Sequence, residues 1–423
     1  MAQLSDDCFA FGGKLLAIDA MEQLIASRIN PVSETEQVSL REAAGRVLAS
    51  DVVAPIDLPS FDNSAVDGYA VHHADLREGR ETKFRIVDRV TAGQAALRGA
   101  ASGEAIRIFT GAPMPQGTDT VFMQEDVKVE GATLLVPPGL KLGANRRLAG
   151  EDMRRGTVAL PVGQRIGPQH VAMAAALGLT TLPVRRRVRV ALFSTGDEIV
   201  EPGASRPEAA LYDANRYLLL QMFERLGADV TDLGILRDDP DALARALSKA
   251  AADHDLVVTS GGVSTGEADF VRTAVETVGS LVFWRVAIKP GRPVAMGVIP
   301  GPNKSNAAFV GLPGNPVASF VTFARVVRPL LLRLAGALPE SLVALPVRAQ
   351  FSYAKKTGRR EYVRVMLSRA ADGVIEAQKF PREGAGIISS LTGTDGLAEL
   401  SEDVTEVKPG MMIGFLSYVS LVG

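Results

Sequence analysis

A glycine-rich loop that ends in two carboxylates is the first stretch of this sequence whose residues are suited to chemistry. In VVTSGGVSTGEADF, residues 257–270, a β-branched run gives way to glycines and hydroxyls, and Glu267 and Asp269 follow. Such loops present backbone amides to anions, whereas carboxylates repel anions. Acidic residues at the start of a helix also interact favourably with the helix dipole, which is a purely structural explanation. The alternative is that a metal ion lies between these acids and a phosphate.

Three further stretches combine small residues with charged or hydrogen-bonding ones: FSTGDEIV, IKPGRPVAMG and GLPGNPVASF. With the first loop, they supply the candidate ligand-binding residues Ser194, Thr195, Gly196, Ser260, Gly261, Gly262, Lys289, Arg292, Pro313 and Asn315. The carboxylates of Glu198, Asp238 and Asp269 could hold a divalent cation, because Mg²⁺ commonly takes one or two carboxylates and leaves its other positions to water and substrate. Each stretch alone is a weak signal, and it is their convergence that favours a function.

Three stretches outside these loops also carry polar candidates. LPSFDNSAVDGYAV places Asp67 beside glycine and tyrosine, where an Asx-rich turn is an equally good explanation. RIFTGAPMPQG places Thr110 after a strand pattern, and NRRLAGEDMRRG places Asp152 among arginines, where an ion-pair network is the simpler interpretation. The sequence has no G-x-x-x-x-G-K-[ST], and no G-x-G-x-x-G opens its first strand–helix unit, which disfavours a P-loop or dinucleotide site.

Alternating strand and helix patterns must position these loops. From about 187 to 336, buried strands such as VRVALFS and DLVVTS alternate with amphipathic helices, one with Asn215 as its N-cap and one with Asn315. This alternation predicts a parallel, doubly wound α/β sheet, whose ligands bind beyond the carboxyl ends of the strands. Residues 14–45 predict two helices, KLLAIDAMEQLIASRI and LREAAGRVLAS, and 155–183 a further helix. The stretch 46–150 is β-rich, and the chain after about 339 predicts a small β-barrel or sandwich.

Composition sets the outer bounds. The chain has 423 residues and a net charge of −2, which argues against non-specific nucleic-acid binding. A single cysteine excludes a disulfide framework within the chain, and the four histidines show no metal-ligand spacing, so oxygen ligands are expected for any metal. No apolar run has the length of a membrane span and no secretory signal opens the chain, so we expect a cytoplasmic protein.

Taken together, these stretches resemble the molybdopterin molybdenumtransferases, the molybdenum insertases of molybdenum cofactor biosynthesis, which are related to the E domain of gephyrin. The similar motifs occur in order along the chain: FDNSAVDGYAV, RIFTGAPMPQGTDTVFMQED, RRLAGEDM, RVALFSTGDEIV, YDANRY, LGILRDDP, TSGGVSTGEADF, AIKPGRPVAMG and GLPGNPVASF. The resemblance implies a fold of four domains: a split helical domain (14–45 and 151–183), an inserted β-rich domain (46–150), a molybdopterin-binding α/β domain (184–336) and a C-terminal β-barrel (337–423). It further implies a homodimer whose cleft lies between the α/β and barrel domains of one subunit and the inserted domain of the other.

The activity that the resemblance implies is insertion of molybdate into adenylated molybdopterin with Mg²⁺-dependent release of AMP. Its implied catalytic residues are Asp67, Thr110, Asp152, Glu198, Asp238, Asp269, Arg285 and Lys289. Ser389 and either Arg359 or Arg364 are the implied oxyanion partners in the barrel, and Arg285 and Arg292 stand where many relatives have lysine. Molybdopterin adenylyltransferase and molybdoenzyme chaperones are the implied protein partners. Two other functions stay open: a molybdopterin adenylyltransferase, and a gephyrin-like scaffold without catalysis.

Overall fold

The computed structural model describes Leu4 and residues 15–262, 270–291, 293–302 and 306–423. Within these ranges, no helix is both long and apolar enough to cross a bilayer. The central part of the chain forms one mixed sheet. In the sequence, a β-rich module precedes this sheet and a barrel follows it.

The mixed sheet has six strands, in the order Asp229–Leu236, Arg189–Thr195, Leu256–Ser260, Asn306–Leu312, Pro293–Pro300 and Ser280–Arg285. The first four run parallel, as predicted, whereas the last two are joined by antiparallel pairing. The sheet predicted to be parallel is therefore mixed at one edge. The extra strand, Pro293–Pro300, has prolines at both ends and a central Gly297, all of which are typical of turns in a sequence. A Cβ at Gly297 would lie 2.5 Å from the carbonyl oxygen of Ser280, so glycine is what permits this close strand pairing.

Helices cover both faces of the sheet, which confirms the doubly wound arrangement. Along the strand Arg189–Thr195, Leu192 packs in one buried cluster with Phe223, while its neighbour Phe193 packs in another with Leu247. This alternation follows from the pleat, because successive side chains of a strand point to opposite faces. The helical segments are Asn215–Arg225, Pro240–Asp253, Phe270–Val278, Pro316–Thr322, a π-helical turn Phe323–Val327, and Arg328–Leu334.

The N-terminal region differs in one respect from the prediction. The helix Ile18–Arg28 forms, but the predicted helix LREAAGRVLAS, residues 40–50, does not. Its backbone pairs with a distant loop instead: the Gly45 amide donates to the Ile166 carbonyl at 2.8 Å, and Gly45 has a φ of 78°. Tertiary pairing here overrides a helix propensity of a few tenths of a kcal/mol per residue.

Short strands join segments of this region that lie far apart in the sequence. Thr35–Ser39 pairs with Thr181–Arg185, and Val52–Val53 pairs with Val158–Leu160. The predicted helix in 155–183 is present as Pro168–Ala176.

The inserted module is built on a second six-stranded sheet, which agrees with its β-rich pattern. The strand order is Thr120–Met123, Gly68–Val71, Glu104–Ile108, Thr82–Val90, Thr133–Val136 and Lys128–Glu130. Asn63–Ser64 pairs with Arg146–Arg147 beside it, and two 3₁₀ turns, His73–Asp75 and Gln124–Asp126, complete the module.

Five strands close into the predicted C-terminal β-barrel. In order they are Arg360–Arg369, Ile375–Lys379, Leu345–Ala349, Met412–Ser417 and Gly396–Leu400, and the last pairs with the first. Small pairs add Tyr353–Ala354 with Glu406–Val407 and, in the α/β domain, Ile199–Val200 with Leu211–Tyr212; short helices are Ser389–Thr392 and Tyr418–Val422. The strand Ile288–Lys289 leaves the α/β domain to pair with Arg360–Glu361 of the barrel.

Candidate active site

A crevice of about 530 Å³ opens at the carboxyl ends of the parallel strands, where three of the predicted loops meet. Its predicted lining residues are Ser194, Thr195, Glu198, Ser260, Gly261 and Asn315, and Gly386 and Ile388 of the barrel domain close one side. The Ser194 hydroxyl is buried and has no hydrogen-bond partner among the described residues. Buried polar groups are nearly always paired in proteins, so this hydroxyl is a group that a bound ligand could satisfy.

Two carboxylates flank the turn at Thr195 and Gly196. The Thr195 hydroxyl donates a hydrogen bond to Asp238, which brings that side chain to the edge of the crevice. The Glu198 carboxylate lies over Gly196, since a Cβ on this glycine would be 2.8 Å from Glu198 Oε2. Both carboxylates thus lie at the end of the strand Arg189–Thr195, Asp238 beside Thr195 and Glu198 beside Gly196.

These carboxylates suit a hard cation in the chemistry of their donors, because Mg²⁺ takes oxygen ligands and often only one or two from protein carboxylates. The third expected ligand, Asp269, lies outside the described residues. Over the described part of the chain, no group of three or more histidine, cysteine or acidic side chains could hold a metal. Glu198 and Asp238 are thus the two of the three expected ligands that the structure describes.

The loop after Ser260 needs glycine for steric reasons. Gly262 has a φ of 65°, and a Cβ there would lie 2.5 Å from Thr195 Cγ2 and 2.6 Å from Val271 Cγ2. A side chain would therefore force the loop away from the strand end that carries Thr195. Gly261 and Gly314 also approach each other, because a Cβ on Gly314 would be 3.9 Å from the Gly261 Cα.

Asn215 connects these loops, a role that sequence reasoning missed. Its Nδ2 donates to Ser260 Oγ and to the Gly314 carbonyl, both at 2.8 Å. The helix begins at Asn215 itself and its N-cap position is Ala214, so the predicted capping role is wrong. An asparagine before an amphipathic helix is the usual signature of a cap, and the sequence held no signal that its side chain would reach two other loops. Asn315, by contrast, occupies the predicted N-cap position of Pro316–Thr322.

A second cavity, of about 220 Å³, lies between the α/β and barrel domains and is rich in cations. Its charged lining residues are Lys289, Arg364, Lys379, Arg382 and Glu383. Arg364 donates from Nε to Ser390 Oγ at 3.1 Å and from Nη2 to the Gly384 carbonyl at 3.0 Å, both neutral acceptors. Burial lowers the pKa of this guanidinium. Among the described residues Arg364 forms no ion pair, although Glu383 lines the same cavity, and its forked donors suit a bound oxyanion.

Lys289 is fixed by a buried carboxylate at one side of this cavity. Glu361 is only 1% exposed and accepts from Lys289 Nζ at 3.1 Å, from the Tyr353 hydroxyl at 2.7 Å and from Arg359 Nε at 2.8 Å. Burial alone would raise the pKa of Glu361, but these three donors more than offset it and the pKa is lowered. Burial similarly opposes the charge of Lys289, yet its bonds to Tyr353 and Glu361 leave the pKa raised. Both groups are therefore charged at neutral pH.

One segment of the barrel domain, residues 384–388, separates the two cavities. Gly384 and Ala385 line the cation-rich cavity, whereas Gly386 and Ile388 line the crevice. The segment is attached to the α/β domain by a hydrogen bond from the Val317 amide to the Ala385 carbonyl at 3.0 Å. A ligand that spanned both cavities would therefore pass along this wall.

The remaining residues implied for the barrel and the sheet edge lie near this wall. Ser389 directly follows it, is exposed, and lies 3.5 Å from Arg382 Nη2 through its Oγ. Arg285 is the last residue of its strand and pairs with Pro293, the first residue of the next strand in the sheet. That strand pairs on its other side with Asn306–Leu312, which runs in the opposite direction and ends at Leu312. Arg285 is thus at the same edge of the sheet as the crevice, with an exposed side chain.

Asp67 and Thr110 form a tight pair in the inserted module. Asp67 Oδ1 accepts from both the amide and the hydroxyl of Thr110, each at 2.8 Å. The Thr110 amide, followed by its hydroxyl, lowers the pKa of Asp67. The residues lining the crevice come from the α/β and barrel domains, so this pair is not part of the crevice wall within one chain.

Comparison with known proteins accounts for nearly the whole chain. Three family models match in order: "MoeA N-terminal region (domain I and II)" at residues 16–178, "Probable molybdopterin binding domain" at 191–333 and "MoeA C-terminal region (domain IV)" at 346–417. A molybdopterin molybdenumtransferase from Haemophilus influenzae is 36% identical over 97% of this chain and all of its own length. The chain belongs to the molybdopterin molybdenumtransferase family. A relative from a Nostoc species with the same name is 34% identical, over 91% of this chain and 89% of its own length.

A solved structure of this family has the same architecture. The molybdopterin biosynthesis moeA protein from Pyrococcus horikoshii is 31% identical, with a TM-score of 0.80 over 96% of this chain and all of its own. The fold class expected from the resemblance, with its α/β domain, inserted β-rich domain and C-terminal barrel, is thereby confirmed.

Four more residues that the family resemblance implied differ in how the structure places them. Arg292, like Asp269, lies outside the described residues. Asp152 is exposed and its carboxylate joins no ion pair within the described ranges, so the ion-pair interpretation is wrong; Glu151 pairs with Arg147 instead, at 3.9 Å. Arg359 is already engaged by Glu361, whereas Arg364 faces the cation-rich cavity.

Proposed function

We propose that this chain inserts molybdenum from molybdate into adenylated molybdopterin and releases AMP in a Mg²⁺-dependent reaction. The observation that supports this most is the pairing of an acid- and hydroxyl-lined crevice with a cation-lined cavity across one shared wall. Cleavage of a pyrophosphate linkage with the help of a divalent cation needs the first set of groups, and binding of a tetrahedral oxyanion needs the second. The names of the relatives, molybdopterin molybdenumtransferases, point to the same pair of substrates.

In this proposal the phosphate-bearing end of the pterin nucleotide occupies the crevice. Ser194 and the loop after Ser260 would donate hydrogen bonds to it, and Glu198 and Asp238, with Asp269, would hold the cation. When bound, Mg²⁺ would neutralise charge that builds up on the phosphoryl oxygens as the pyrophosphate linkage is cleaved. The contribution of the chain itself is positioning, because donors fixed before the reaction need no reorganisation while it occurs.

Molybdate would bind in the cation-rich cavity. It carries two negative charges, and Lys289 and Arg364 both line this space, where Glu383 is the carboxylate that the anion would have to displace. Arg292 and Ser389 would add further donors, and Arg359 would act through Glu361. The pterin would extend along the wall 384–388, so that its sulfur atoms meet the metal while its phosphate stays in the crevice.

We further propose that the working unit is a homodimer, in which Asp67 and Thr110 of one subunit complete the crevice of the other. Two inactive variants, Asp67→Asn and Glu198→Gln, test this when they are mixed. If the residues act across subunits, each mixed dimer contains one intact site, and random mixing restores about a quarter of the wild-type rate. No recovery from dimers that have exchanged subunits would contradict the shared site.

The overall reaction is tested by AMP release from adenylated molybdopterin with and without molybdate. We expect release that depends on molybdate and Mg²⁺, and its loss in Glu198→Gln. Asp197→Asn is the matched control, because Asp197 is the adjacent exposed acid and does not line the crevice. Formation of adenylated molybdopterin from ATP without molybdate would instead identify an adenylyltransferase, the step expected to supply this substrate in the cytoplasm. Absence of any AMP release would leave the scaffold role.

A further inference from the structure

We propose that Tyr353 is a positioning residue for oxyanion binding, because one aromatic ring and its hydroxyl hold the ammonium groups of Lys289 and Lys379 at the cation-rich cavity. This inference rests on the proposed function, since it takes the bound oxyanion to be molybdate. It adds two residues, Tyr353 and Lys379, that neither the motifs nor the sequence resemblance indicated.

Tyr353 contacts both lysines, through different parts of its side chain. Lys379 Nζ lies over the ring at 5.4 Å from its centroid, whereas Lys289 Nζ is bonded to the hydroxyl at 3.0 Å and lies beyond it, 5.5 Å from the centroid. Cations within about 6 Å of an aromatic centroid are attracted by the negative face of the ring. Two ammonium groups repel each other, so a shared aromatic partner offsets part of the cost of keeping them together. All three side chains line the cavity.

The hydroxyl of Tyr353 anchors the same arrangement to a buried charge. It accepts from Lys289 Nζ at 3.0 Å and donates to Glu361 Oε2 at 2.7 Å. Since Glu361 is 1% exposed, the carboxylate cannot move far and fixes the ring and the lysine together. Burial raises the pKa of Tyr353. The phenol therefore stays protonated and available as a donor at neutral pH.

The second partner of Lys379 is an exposed carboxylate, Glu383, and not a buried one. Its Nζ lies 2.5 Å from Glu383 Oε1, and the Glu383 side chain is 65% exposed. An exposed ion pair of this kind contributes little to stability, so an arriving dianion could replace Glu383 at small cost. Lys289, by contrast, stays bound to Glu361. Tyr353 thus contacts two ammonium groups at the same cavity: that of Lys289, which keeps its buried partner, and that of Lys379, which can exchange Glu383 for the anion.

The test uses three variants of the full-length protein and molybdate alone as the first probe. Tyr353→Phe removes the hydroxyl and keeps the ring, whereas Tyr353→Leu removes both. Tyr217→Phe is the matched control, because Tyr217 also bonds a glutamate, Glu201, but lies outside the cavity. Molybdate Kd is measured by calorimetry, thermal unfolding confirms folding, and AMP release is followed at saturating molybdate.

We expect the molybdate Kd to rise about fivefold in Tyr353→Phe, from the loss of one net hydrogen bond, and about thirtyfold in Tyr353→Leu. At saturating molybdate, AMP release by Tyr353→Phe should stay within about twofold of wild type, since the residue does not touch the phosphate. Wild-type Kd in both variants, or an equal loss in Tyr217→Phe, would overturn the inference while leaving the proposed function intact. A wild-type protein that binds no molybdate and releases no AMP would instead refute the proposed function, and the inference with it.

Discussion

Replacing the buried carboxylate of Glu361 with an amide should weaken the junction between the α/β domain and the barrel. The Glu361→Gln side chain keeps its shape but loses its charge, and its amide nitrogen must face at least one of the three donors that now point at the carboxylate. Hydrogen bonds to charged groups contribute about 1.5–3 kcal/mol each. Lys289 and Arg359 are 47% and 30% exposed, so water compensates much of their loss. We therefore expect a net destabilisation of about 2 kcal/mol.

The pH dependence gives this prediction a sign. The pKa of Glu361 lies below its ordinary value of 4.5, so its stabilisation is fully present above that pH and is lost as the pH falls towards the folded-state value. The assay is urea unfolding of wild type and Glu361→Gln at pH 7 and at a series of values below 4.5. The difference between the two proteins should be largest at pH 7 and shrink on acidification.

The matched control is Glu402→Gln in the same barrel, where the carboxylate is 33% exposed and bonded by Arg360 Nε at 3.1 Å. For such a partly exposed pair we expect a loss of at most about 1 kcal/mol. Equal stability of wild type and Glu361→Gln at pH 7, or a gap between them that widens in acid, would refute the argument from burial.

Three further predictions concern the two cavities. Arg364→Gln should raise the molybdate Kd by about tenfold or more, because a charge-assisted bond is lost, while Arg364→Lys should recover part of it; calorimetry measures both. Asn215→Ala should lower the free energy of unfolding by about 1–2 kcal/mol in urea titrations, since two hydrogen bonds at 2.8 Å disappear, and no change would show that water replaces them. Gly262→Ala should cost about 1–3 kcal/mol in the same titrations and reduce AMP release, and an unaltered protein would mean that the loop relaxes freely around the new methyl group.

Much of the fold was predictable because local pattern and tertiary structure agree. The parallel strands are short β-branched runs between amphipathic helices, and the loops after them bring together Ser194, Glu198, Ser260 and Asn315 as expected. The predictions that proved wrong lie where distant partners decide. Residues 40–50 have helix-forming side chains, but their backbone pairs with a loop far along the chain.

The cation-rich cavity shows why part of the site could not be read from the sequence. Tyr353 lies on the small strand pair of the C-terminal domain and Lys379 on a barrel strand, and their meeting depends on how that domain packs. Glu361 likewise resembles an ordinary strand glutamate until the strand Ile288–Lys289 is seen to pair beside it. Periodicity predicts which face of a strand is buried, but not which charged side chains share that face across domains.

That pairing has a mechanical consequence. The backbone of Lys289 is hydrogen-bonded into the barrel edge, although the chain on either side of it belongs to the central sheet. If the two domains rotate apart to admit a bulky substrate, this lysine travels with the barrel, and its proposed contact with the oxyanion is kept during the opening. Both connections of this short strand to the central sheet, from Arg285 and to Pro293, must then adjust. Loading of the small anion and entry of the large pterin could thus proceed in either order.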